Sequence, residues 1–169
     1  MNKLILSAAL LLGVFSQTAF AQDAKVSTKF NKSLQGYYAL KNALAGDKTA
    51  EAAKFAGALQ AAVKEVPHKG FANEAQHQLW MKESAVILKQ SAELAKSTDL
   101  KAQRENFKGI STSFIALTKD LKINDAPVFV EYCPMVKSAW LNEVKAIQNP
   151  YYGSEMYDCG TVKETLDKK

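Results

Sequence analysis

Residues 107–121 read FKGISTSFIALTKDL. Phe107, Ile110, Phe114, Leu117 and Leu121 recur at intervals of three and four, a near-heptad seam on one side of an α-helix. Just upstream, Ser97-Thr98-Asp99 forms a cluster of helix-capping residues. A third helical segment precedes it, from about Ala72 to Lys96; Leu79, Val86 and Leu94 mark its apolar stripe, and Trp80 and Ile87 widen it. Before that, Ala52, Phe55, Ala56, Leu59, Ala62, Val63 and Val66 share one face of a second helix, which ends at Pro67-His68-Lys69-Gly70. The first helix is under way by about Thr28 and carries Phe30, Leu34, Tyr37, Leu40 and Leu44. Gly46 suits its left-handed C-cap and Asp47 suits the N-cap of the next helix. Four amphipathic helices with short connections predict an all-α fold, an antiparallel up-down four-helix bundle.

Beyond Leu121 the character changes. Ile123 to Pro127 reads as a loop, and Val128 to Tyr132, β-branched or aromatic at most positions, fits a short strand. Cys133 to Leu166 is rich in Pro, Gly, Asn, Tyr and sulfur, with a strong turn signal at Asn149-Pro150-Tyr151-Tyr152-Gly153. At most a short helix fits between Pro134 and Asn149. The expectation is an irregular C-terminal segment from about residue 123, with room for a short strand or hairpin, packed across one end or side of the bundle. Irregular segments on a rigid scaffold are where function concentrates.

The other end of the chain reads as a secretory signal peptide over residues 1–21. Lys3 is the charged region, Leu4 to about Phe15 the apolar region, and Ala19-Phe20-Ala21 the small-x-small cleavage pattern. The apolar run is shorter than a spanning helix needs, and no later segment is long and apolar enough to span a bilayer. The mature chain, 22–169, is then one domain, periplasmic or secreted, in an oxidising compartment. Without Lys3 it has 21 basic against 17 acidic residues, dispersed along helix faces with no basic run, which excludes nucleic acid as a partner. Motifs for nucleophilic hydrolases, zinc peptidases, P-loops, dinucleotide folds and C-x-x-C redox pairs are all missing, so catalysis is not expected.

What remains is sulfur. The mature chain has five sulfur residues, Met81, Cys133, Met135, Met156 and Cys159. Four form two short tail motifs, Cys133-Pro134-Met135 and Met156-Tyr157-Asp158-Cys159-Gly160. Met81 follows His77 at i+4, which puts imidazole and thioether on one helix face that continues through Ser84, Leu88 and Ala95. Thiolate, thioether and imidazole together select monovalent copper, or silver as its analogue, over oxygen-seeking cations. Two Cys exclude a four-cysteine zinc or iron–sulfur site within one chain. The same residues admit a plainer reading. Cys133 and Cys159 can form a disulfide, the Met residues can pack the core, and His77 can be an ordinary helix residue. His68, in a Pro-Gly loop, reads as solvent-exposed.

The chain carries His77-x-x-Trp80-Met81, Gln103-Arg104-x-x-Phe107 with Ser111, and Tyr132-Cys133-Pro134-Met135. It continues with Ala139-Trp140-Leu141, Ile147-x-Asn149-Pro150-Tyr151-Tyr152-Gly153 and Met156-x-x-Cys159-Gly160-x-Val162. Over about Phe30 to Thr165 this pattern resembles an exported domain of unknown function. That domain occurs as a standalone secreted protein and as an appendage on periplasmic adaptor (membrane-fusion) subunits of heavy-metal efflux systems. The resemblance implies a helical core, an extracytoplasmic location and an association with copper or silver handling. It implies Cys133, Met135, Met156, Cys159 and His77 as ligands, with Met81 beside them, and Trp140, Asn149 and Gly153 as scaffold. The partners it implies are the metal ion and a heavy-metal efflux or copper-delivery protein. The alternative is a disulfide-closed helical module that binds another envelope protein through its Tyr-rich tail.

Overall fold

The computed structural model describes residues 17–168, with side chains from residue 24. The signal peptide expected at residues 1–21 therefore lies, up to residue 16, outside the described residues. Four helices come first, α1 (Gln17–Ala45), α2 (Thr49–Lys64), α3 (Glu74–Lys96) and α4 (Leu100–Leu121). Three-residue turns join α1 to α2 and α3 to α4, too short for anything but antiparallel neighbours. Phe30, Tyr37, Leu59, Trp80, Ile87, Phe107 and Phe114 meet in one core. Tyr37 stacks on Phe107 with centroids 5.3 Å apart, and Phe30 meets Trp80 edge-on at 6.4 Å. No helix among the described residues is long and apolar enough to cross a membrane.

The caps follow local chemistry at two of three junctions. Asn73 accepts from the Gln76 amide to start α3, and Asp99 accepts from the Lys101 and Ala102 amides to start α4. The α1–α2 turn departs from expectation. Asp47, not Gly46, takes the left-handed conformation (φ 58°), and Lys48 precedes α2 without a side-chain cap. The Asp47 carboxylate points away from α2 and receives Arg104 of α4 and the Ser154 amide instead. The α3 stripe is also rotated from its expected line: Trp80, Ser84, Ile87, Ser91 and Leu94 are buried, while Leu79 and Val86 are half-buried. Glu83, buried beside them, accepts a 2.7 Å hydrogen bond from Ser113 of α4.

The all-α expectation is overturned by the tail. It forms a three-stranded antiparallel sheet, β1 (Val128–Cys133), β2 (Ser138–Asn142) and β3 (Thr161–Leu166), in the order β2-β1-β3. A short strand or hairpin was expected in this segment; a three-stranded sheet was not. Where a short helix had seemed to fit, Pro134 to Lys137 makes a four-residue hairpin turn instead, with Lys137 at φ 52°, and Cys133 pairs with Ser138 across it. The β2 stretch Ser-Ala-Trp-Leu-Asn has no β-branched residue. It is a strand because Trp140 and Leu141 bury against the bundle, which illustrates how context overrides β-propensity. A register shift between Val130 and Glu131 marks a bulge in the pairing of β1 with β3. The extra residue is Lys163 of β3, while β1 keeps its regular alternation against β2; Val128, Val130, Glu131 and Cys133 are all buried.

The sheet is bound to the bundle by polar side chains of α1. The Leu141 amide on β2 donates to Tyr37 Oη at 3.0 Å, and that hydroxyl shares a 2.5 Å hydrogen bond with Ser111. This satisfies an edge-strand donor that would otherwise be buried and unpaired. Fully buried Lys41 donates to Asn142 Oδ1 at 2.5 Å and Gln148 Oε1 at 2.7 Å, and lies 3.0 Å from Glu143 Oε2.

Candidate functional site

Cys133 ends β1 with its sulfur buried. Pro134 starts the turn and bends the following backbone so that the Val136 and Met135 amides donate back to that sulfur. The second thiol arrives from the far side of the tail. Asn149 organises the return: its amide donates to the Tyr157 carbonyl at 2.9 Å, and its Nδ2 donates to the Cys159 carbonyl at 2.8 Å. The Cys159 amide donates to the Met156 carbonyl at 3.0 Å, closing one tight turn. Gly160 then passes over the Trp140 ring, where a Cβ would come within 2.9 Å. The result is a Cys133–Cys159 pair with sulfurs 3.7 Å apart, both thiols free.

The two thiols are not equivalent. Burial alone would push the Cys133 thiol up, but the amides of Val136 and Met135, the Asn149 side chain and the Cys159 thiol outweigh it and bring it below its usual range. The Cys159 thiol is pushed up, because it hydrogen-bonds to Cys133, because it is partly desolvated and because negative charge develops beside it. When the pair gives up a proton, Cys133 is the sulfur favoured to carry the charge and Cys159 the one favoured to keep its proton.

Behind the pair lies a buried polar chain. Glu131, two residues before Cys133 on the same inward face, accepts from Asn142 Nδ2 at 3.1 Å through both oxygens. Desolvation raises its carboxyl to about 7, against the pull of Asn142 and Lys41. Tyr151 fills the space toward the bundle, 5.9 Å from both Phe107 and Trp140, and its hydroxyl donates to the Ala139 carbonyl. Lys41 and Glu131 were not singled out in the sequence. Their signals were present: a lysine inside the α1 apolar stripe and a carboxylate inside an otherwise apolar strand.

The six expected ligands fall in two places. Cys133 and Cys159 are together. Met135 follows Cys133 in the turn and is 62% exposed, and half-buried Met156 sits three residues before Cys159. His77 and Met81 lie at the opposite level of the bundle. Gln76, beside His77, donates to the Asp120 carbonyl at the end of α4, whereas Tyr151, beside the thiols, packs on Phe107. From Phe107 to Asp120 the α4 axis runs about 20 Å. Met81 points outward rather than inward, and its sulfur meets His68, not His77. Among the described residues, no three or more His, Cys, Asp or Glu side chains converge on one point.

Residues 34–126 match a family model described as "Protein of unknown function (DUF3347)". No curated protein and no solved structure matches the chain. The matched stretch covers the helices from within α1 to the loop before β1, and stops short of both thiols.

Proposed function

Since the chain belongs to this family, DUF3347, whose matched stretch is the bundle, we propose that its function resides in what the bundle carries: a soft-metal site at Cys133 and Cys159. The metal is copper(I), or silver(I), and there is no catalysis. The observation that carries this reading is the pair of free cysteines with sulfurs 3.7 Å apart. Two metal–sulfur bonds of about 2.3 Å place their sulfurs about 3.8 Å apart at a tetrahedral angle and about 4.6 Å apart in a line. The observed spacing therefore suits a bent pair with coordination positions to spare. Met135 and Met156, next to the two thiols in the chain, are the thioethers that would take them. Of the two protons that binding must displace, that of Cys159 is held the more firmly.

In this reading the chain is exported and loses its first 21 residues. It then holds copper in the cell envelope, for or from a heavy-metal efflux or copper-delivery protein, as the resemblance implies. Titrating the reduced protein with copper(I) against a competing chelator tests it. One equivalent should bind, and Cys133→Ser/Cys159→Ser should lose it; equal affinity in that double variant overturns the site.

A second reading draws on the same spacing. Closing from 3.7 Å to a disulfide needs a movement of about 1.7 Å, which would make the protein a disulfide-closed module with Tyr157 exposed for an envelope partner. Counting free thiols on protein taken from the export compartment separates the two. A quantitative disulfide with no metal uptake after mild reduction favours the module.

A further inference from the structure

The connection from α2 to α3 is held by one aromatic side chain. Phe71 lies between the rings of His77 and Trp80, stacked on both with centroids 6.1 and 5.9 Å away. Gly70, at φ 103°, turns the chain just before it. With Phe71 anchored, His68 lies against α3, and its Nδ1 is 3.2 Å from the Met81 sulfur. His68 and His77 line one open hollow of about 300 Å³. The Nδ1 of His77 lies 3.6 Å from the Glu74 carboxylate.

These groups have no packing role that accounts for them. Met81 is 40% exposed, an uncommon position for a side chain usually spent on filling cores, and His68 is exposed as well. A ring nitrogen and a thioether bound to one ion by bonds of about 2.0–2.3 Å sit about 3.5 Å apart at a tetrahedral angle. The pair at 3.2 Å reaches that spacing by opening about 0.3 Å. Both donors are neutral when they bind, one soft and one borderline, a set that suits a monovalent soft cation and not magnesium, calcium or a thiolate-seeking zinc.

We propose that His68 and Met81, with His77 on the same hollow, form a second soft-metal site, for copper(I) or silver(I), that needs no thiol. It shares no residue with the Cys133–Cys159 pair and lies about 20 Å from it along α4, so it stands or falls separately. Its chemistry differs in one useful respect. Oxidation that joins the two cysteines removes the thiol site and leaves this one intact.

Silver(I) nitrate in chloride-free buffer is the probe, because silver does not change oxidation state on binding. Full-length Cys133→Ser/Cys159→Ser protein should take up one equivalent, with shifts of the Met81 methyl and His68 ring resonances. Adding Met81→Leu or His68→Gln should weaken uptake at least tenfold. Both residues are exposed, so circular dichroism should show these variants folded. In wild-type protein the same two resonances read the site directly even while the thiols also bind. Two outcomes overturn the proposal: no shift of either resonance at stoichiometric silver, or uptake indifferent to both substitutions. Neither bears on the thiol site, which the copper titration reads.

Discussion

Lys41 of α1 and Glu131 of β1 are joined through one side chain: the Asn142 amide accepts from the lysine and donates to the carboxylate, all three fully buried. Burial dominates both ends, pulling the Lys41 ammonium down and the Glu131 carboxyl up to about 7. A carboxyl raised in the folded state keeps its proton where the unfolded chain has lost it. Stability should therefore fall as pH rises from about 4.5 to 7 and level off above, by an amount on the order of 3 kcal/mol for this group. Urea midpoints across that window, wild type against Glu131→Gln, measure it. The variant should flatten the slope, and an unchanged slope would remove Glu131 as its source.

Gly153 and Gly57 should respond oppositely to the same substitution. Gly153 has φ 57°, and a Cβ there would land on the Asp47 carboxylate and the Arg104 guanidinium, breaking the α1–α4–tail junction. Gly153→Ala should cost about 2–3 kcal/mol. Gly57 is exposed inside α2 with nothing near its Cβ direction, so Gly57→Ala should stabilise by about 0.5–1 kcal/mol. Thermal melts of the two variants decide the comparison.

The asymmetry of the thiols predicts a difference in reactivity. Cys159 is held above its usual range first of all by its hydrogen bond to Cys133. In Cys133→Ala that restraint is gone, and iodoacetamide should alkylate Cys159 several-fold faster at pH 8, read by mass spectrometry. An equal rate would mean the sulfurs do not share a proton.

Tyr37→Phe should uncouple sheet from bundle. It leaves the buried Leu141 amide without its acceptor and should cost about 1–3 kcal/mol. Hydrogen exchange at Leu141 provides the local readout, and protection unchanged from wild type would refute it.

The helices were legible because each buries a stripe of large apolar residues at helical spacing, and Phe107 to Leu121 does so without interruption. The sheet was only partly so. Val128 to Tyr132 announces a strand by composition. Ser138 to Asn142 does not, since its conformation comes from the turn at Pro134 and from burial of Trp140. Thr161 to Leu166 carries β-branched residues at Thr161, Val162 and Thr165, a signal that the surrounding turn residues obscured. The sulfur motifs named Cys133 and Cys159 as a pair, and the structure brings them together. The i,i+4 spacing of His77 and Met81 placed them on one helix, but their distance from the tail depends on how α3 lies along α4. His68 meets Met81 only because Phe71 anchors the connection between them, a tertiary effect that no local pattern encodes.

The family match ends at residue 126, yet the chain offers no clean place to cut there. Tyr37 and Lys41 on α1, and Arg104 on α4, spend their polar groups on backbone and side chains beyond that point. An excised bundle would hold a stranded ammonium, a hydroxyl without its donor and an uncovered Phe107. The tail is thus the lid on a polar interior as well as the bearer of the thiols, and deletion mapping that removes it would read a folding defect as loss of function.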